Sequence, residues 1–131
     1  MQRTTTLFLL AFILVVLAGS GTLVADDKHE EHGEHHGQMT VEGEILDMAC
    51  YVAHEAKGPD HAACAKRCVK GGQPMGLLAE DGTVYLLYAS HQDGSAFEKT
   101  KEHAGQSVAI TGVAATQAGI KGLEVHAVRP L

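Results

Sequence analysis

Hydrophobicity along the chain changes character twice before any folded element can be read. Residues 7–17 (LFLLAFILVVL) are apolar without a break, and residues 26–39 (DDKHEEHGEHHGQM) hold almost nothing apolar. From residue 40 onward, short runs of alternating apolar and polar positions predict strands. Residues 40–52 (TVEGEILDMACYV) place Val41, Ile45 and Val52 at odd positions and Leu46, Met48 and Cys50 at even ones. The phase shifts at Ile45-Leu46-Asp47, which predicts one long strand with a bulge or bend there. Gly43 suits a closely packed strand. Residues 75–80 and 83–89 are two further runs, joined through Asp81-Gly82, a hairpin signal. In the second run Val84, Leu86 and Tyr88 share one face, and Tyr85 and Leu87 the other. Residues 107–115 (SVAITGVAA) and 120–128 (IKGLEVHAV) read as the last two strands, with a turn over residues 116–119 and Pro130 closing the chain.

Two stretches carry helical rather than alternating character. Residues 60–70 (DHAACAKRCVK) lack Gly and Pro and are rich in Ala, Lys and Arg, which predicts a helix. Asp60 is the expected N-cap and Gly71-Gly72 the stop. His61, Cys64 and Cys68 fall on one stripe of that helix, and Ala62, Ala65 and Val69 on the adjacent stripe assigned to the core. Residues 95–104 predict a second short helix, anchored by Phe97 and ended by Gly105.

Without the residue 50–75 insertion, the order is β-β-β-α-β-β, that of the five-stranded OB barrel. The expected fold is therefore mainly β: an OB-like barrel with a short helix between strands 3 and 4 and a Cys/His-containing helical insertion between strands 1 and 2. The runs V-E-G-E-I-L-D and S-V-A-I-T-G-V resemble those of small bacterial periplasmic OB-fold proteins, over about residues 40–131. The insertion departs from the plain OB pattern. Its residues Cys50, Tyr51, His54, Cys64, Cys68, Gly72, Pro74, Met75, Gly76 and Leu77 resemble the C-Y…H…C…C…G-x-P-M-G-L arrangement of uncharacterised exported bacterial proteins. That resemblance implies no particular activity.

At 131 residues the chain is one domain's worth. Arg3, the apolar run and the small residues that follow have the order of a secretory signal peptide over residues 1–25, cleaved after Ala25 or Ser20. The alternative is an uncleaved anchor, since residues 7–25 are nearly long enough to span a bilayer; membrane association is expected only in that case. No cysteine follows the apolar run, so lipid anchoring is unsupported. The expected location is periplasmic or secreted. Residues 26–39 form an acidic, His-rich tether that cannot build a core.

The chemistry concentrates between Met48 and Met75, which enclose all three cysteines. Helical i,i+4 Cβ atoms lie roughly 5–6 Å apart, whereas a disulfide prefers about 3.5–4.5 Å. A Cys64–Cys68 bridge would therefore distort the helix. Cys50 could bridge to either helical cysteine and leave one thiol over. The other solution is one metal ion held by Cys50, Cys64, Cys68 and either His54 or His61. Zinc favours such tetrahedral sets, and a thiolate-rich site also suits Cu(I), for which Met48 and Met75 are softer candidates. The odd cysteine count favours the metal. Thiol redox chemistry is a third reading. His29, His32, His35 and His36 of the tether are candidates for a second, loose metal site.

Other function classes fare worse. The formal charge of −6 and the lack of stacking aromatics speak against nucleic acid. Lys57, Lys66, Arg67 and Lys70 read as a solvated helix face that could lower a nearby thiol pKa. No nucleophile motif, carboxylate pair or phosphate loop appears, so a thiol oxidoreductase is the enzyme alternative. Glu42, Glu44 and Asp47 are expected to face solvent, as are His91, His103 and His126. The leading expectation is an exported metal-binding protein for zinc or copper, acting in sequestration, delivery or sensing. Its rival is a disulfide-stapled OB module for a periplasmic protein partner. Analogy with OB-fold haem chaperones adds haem handling as a weaker reading.

Overall fold

Residues 37–131 are described by a computed structural model; the expected signal segment, and the tether apart from its last three residues, lie outside them. Five strands account for most of this stretch: β1 (Gln38–Asp47), β2 (Met75–Ala79), β3 (Val84–Ala89), β4 (Ser107–Gln117) and β5 (Ile120–Pro130). They close into a barrel in the order β1-β2-β3-β5-β4, with β4 returning to β1. Only the β3–β5 pair is parallel; the other pairings are antiparallel. This is the expected OB-like barrel.

Alternation decides which side chains fill it. Ile45, Leu77, Val108, Ile110, Leu123 and Val125 are fully buried. On β3 it is the Tyr85/Leu87 face that points inward, with Leu87 buried and Leu86 exposed. The glycines of both β1 and β4 sit where backbones meet. A Cβ on Gly43 would enter the Leu78 carbonyl, and one on Gly112 the Glu124 carbonyl oxygen. Gly112 also marks the register shift where β4 bends against β5. At the far end of that hairpin, Ala118 (φ 50°) and Gly119 (φ 83°) make a two-residue turn, shorter than the four residues expected. The turn suits the twist of the strands because both residues are left-handed.

Three helices lie outside the barrel sheet: α1 (Met48–His54), α2 (Ala62–Lys70) and α3 (Ser95–Thr100). Two occupy the β1–β2 connection, and α3 lies between β3 and β4. Several boundaries correct the sequence reading. β1 starts at Gln38, because Gln38 and Met39 pair with Val113 and Gly112 of the long β4; those two residues belong to the barrel, not to the tether. β1 also stops at Asp47, and residues 48–52 are helical rather than extended. The three-residue run Ile45-Leu46-Asp47, read as a bulge, is the strand end sinking into the barrel, with all three buried. Asp47 then caps α1, its carboxylate accepting from the Ala49 and Cys50 amides.

In α2 the cap is His61, which makes no side-chain capping bond. Asp60 lies one residue too early, inside a turn in which the His61 amide donates to Gly58 O and the Ala62 amide to Pro59 O. Ala65 and Val69 of α2 are buried as expected. α3 is shorter than expected: it tightens into a 3-10 turn at Lys101–His103. Phe97 packs half-buried against the core, but the fully buried residue of α3 is Thr100, whose hydroxyl donates to Ala96 O at 2.9 Å. Among the described residues no helix is long and apolar enough to cross a membrane.

Candidate metal centre

The β1–β2 connection is pinned to one end of the barrel at several points. The Met48 amide donates to Pro74 O at 3.0 Å, and the Met48 side chain lies over Gly76, where a Cβ would meet its sulfur. The Glu44 carboxylate accepts from the Gly58 amide in the loop after α1. Glu55 ends α1 in a left-handed conformation, its amide bonded to Tyr51 O at 2.8 Å. α2 rests on Gly105, a left-handed residue (φ 76°) whose amide donates to Ile45 O at 2.7 Å. A Cβ there would run into Ala62, so only glycine lets α2 settle this close. Lys66 and Lys70 of α2 reach Glu102 at 3.2 and 2.6 Å.

This packing turns α1 and α2 so that their cysteines converge. The sulfurs of Cys50, Cys64 and Cys68 lie within 4.8 Å of one another. All three are half-buried free thiols. A second group shares Cys50: donor atoms of Asp47, Cys50 and His61 also lie within 4.8 Å of each other. Of the two histidines left open by the sequence, His61 is therefore at the cluster. His54 sits exposed at the end of α1 and belongs to neither group. Met75 is taken up in the barrel core. His29, His32, His35 and His36 lie outside the described residues. His91 and His126 are exposed and His103 is half-buried.

Asp47 is the residue that sequence reasoning missed. It was expected to face solvent, as Glu42 does, yet it is only 1 % exposed. Its Oδ1 takes the Ala49 amide at 3.0 Å and the Cys50 amide at 3.5 Å. Its Oδ2 is buried with no hydrogen-bond partner, and so is Nε2 of His61. An unpartnered buried polar atom costs about 1–3 kcal/mol, more when charged, and two at one cluster call for a missing partner. The signal that could have found Asp47 was the cap: Asp directly before M-A-C, where the strand pattern lost its phase.

The electrostatics follow from this crowding. Burial pushes the Asp47 carboxyl up, but the neighbouring Cys50 and Cys68 thiols and the Ala49 and Cys50 amides outweigh it, so the carboxyl sits below its ordinary range. The thiols lie near enough to favour the charged carboxylate without reaching Oδ2 in hydrogen-bonding geometry. Cys50 is pushed up to about 12, first by Asp47 and then by burial. Cys68 is raised by the same two causes in the same order. The basic face of α2 does not lower Cys50 or Cys68. Lys70 and Lys66 are paired with Glu102 and hold its carboxyl down instead.

Chemically, the cluster offers three sulfurs, one imidazole nitrogen and one carboxylate oxygen, drawn from β1, α1, the loop before α2, and α2. These donors form two groups that share Cys50, and each group has the donors and the spacing to hold a metal ion. An ion would displace the thiol protons, as metal binding to cysteine does generally. Comparison with protein-family models, with curated proteins and with solved structures gave no match.

Proposed function

We propose that the chain is an exported periplasmic metal-binding protein, for zinc or copper, acting in sequestration, delivery or sensing. The observation that carries this reading is the convergence of Cys50, Cys64 and Cys68 within 4.8 Å, beside two buried donor atoms that lack a partner. Cysteines 14 and 18 residues from Cys50 reach it only because α1 and α2 are both pinned to the barrel end. Cys50, Cys64, Cys68 and His61 form the tight site; the tether histidines collect ions loosely. A thiol oxidoreductase needs a nucleophile with a depressed pKa, and Cys50 and Cys68 are shifted the other way.

The test is a zinc titration of the full exported chain with its thiols reduced, in competition with a chromogenic chelator. One tight equivalent is expected, and it protects three thiols from alkylation. Deleting residues 26–36, which spares the first β1 residues, lowers the weak stoichiometry and leaves the tight equivalent in place. Loss of all binding on that deletion would overturn the division into two sites. Absence of any tight equivalent would overturn the metal reading.

A further inference from the structure

The proposed site contains more than a zinc or copper thiolate set requires, and the surplus points to the charge of the ion. Asp47 and His61 each bring one buried atom, Oδ2 and Nε2, that bonds to nothing. Both residues contribute a donor atom to the group that shares the Cys50 sulfur. Asp47 already satisfies its capping role through Oδ1 alone, so helix capping does not explain why Oδ2 is sealed from water. A hard carboxylate oxygen is a poor addition for soft, monovalent Cu(I), which thiolate sulfur suits. The carboxylate suits a divalent ion, and four negative donors in a half-buried site are better balanced by two positive charges than by one.

We propose that Asp47 and His61 complete the three-thiol cluster as a site for a divalent ion of the zinc class, Asp47 serving as a ligand through Oδ2 while it caps α1 through Oδ1. The inference rests on the metal-binding reading and adds to it the ion class and the oxygen donor. It makes Asp47 a residue with two duties. One oxygen fixes the start of α1, and hence the place of Cys50 three residues on; the other closes the site from the barrel side.

The two duties separate in Asp47→Asn. Asparagine keeps a side-chain oxygen for the Ala49 and Cys50 amides and is as good a cap as aspartate, but it gives up the charge. Zinc(II) and copper(I) affinities are measured by competition on the reduced full chain, wild type and variant, with thermal unfolding of the metal-free forms as the folding check. Zinc affinity is expected to fall at least about 10-fold, since losing even a group that only orients a ligand costs about 10- to 100-fold, while copper(I) affinity changes less than about threefold. His61→Gln is expected to lower zinc affinity as well. Tight zinc binding that Asp47→Asn leaves unchanged, or zinc and copper(I) affinities that fall together, would overturn this inference and leave the three-thiol site standing. A wild-type chain that binds neither ion would overturn the metal reading itself, and this inference with it.

Discussion

Cys50→Ser is expected to weaken zinc binding by roughly 30- to 200-fold. Structural zinc sites are worth about 10–16 kcal/mol, so one of five donors, Asp47 included, carries about 2–3 kcal/mol, which converts to that range. Cys64→Ser and Cys68→Ser are expected to act alike, since all three sulfurs share one cluster. Equality is the informative part. In a disulfide-stapled module two of the three substitutions would destabilise the fold and the third would be silent. Cys50→Ser has a second expected consequence that the other two share only through the ion. α1 has no buried residue, and Val52 on it is 75 % exposed. A seven-residue helix is far too short to persist alone, so α1 depends on its cap, on Met48 over Gly76, and on Cys50. With zinc present, amide exchange across residues 48–56 is expected to be slow in the wild type and fast in Cys50→Ser, read by hydrogen-exchange mass spectrometry. Equal exchange rates in the two would mean that the ion does not hold α1.

Gly112→Ala is expected to cost about 3–5 kcal/mol of folding stability, at the upper end for a single substitution. Its Cβ would be driven into the Glu124 carbonyl oxygen and against Leu123. Neither neighbour can give way, because Glu124 lies between two paired strands and Leu123 is fully buried. Against a total stability typical of domains this size, about 5–15 kcal/mol, that is a large share. Urea unfolding checks it through the midpoint. The neighbouring Thr111→Ala, which removes only an exposed 2.8 Å hydroxyl contact with Thr40, is expected to cost less than about 1 kcal/mol. If the two cost the same, the backbone contact at Gly112 is not what fixes the bend of β4.

The barrel was legible because its strands obey a period of two. Tyr85 and Leu87 could be assigned to one face before their neighbours were known, and Gly43 to a closely packed strand. α2 was legible from composition, and its buried Ala65 and Val69 from helical spacing. α1 was not. M-A-C-Y-V is a short apolar run that a strand would show as well, and what makes it a helix is one carboxylate folded back onto two amides. Choosing His61 over His54 was equally beyond reach, since both lie a few residues from a cysteine. Only the Gly58–His61 turn brings one of them to Cys50. Asp47 was misread because local pattern treats a carboxylate as a surface group. Its burial depends on β1 ending under two helices that sequence spacing alone does not position.

Native mass spectrometry of the exported protein, purified without a histidine tag, tests the metal site most directly. The expected result is a mass increment of one divalent ion, with three alkylatable thiols after chelation. A chain two hydrogens light, with one alkylatable thiol and no metal uptake on reconstitution, would contradict it and make the same three cysteines a disulfide staple with one thiol to spare.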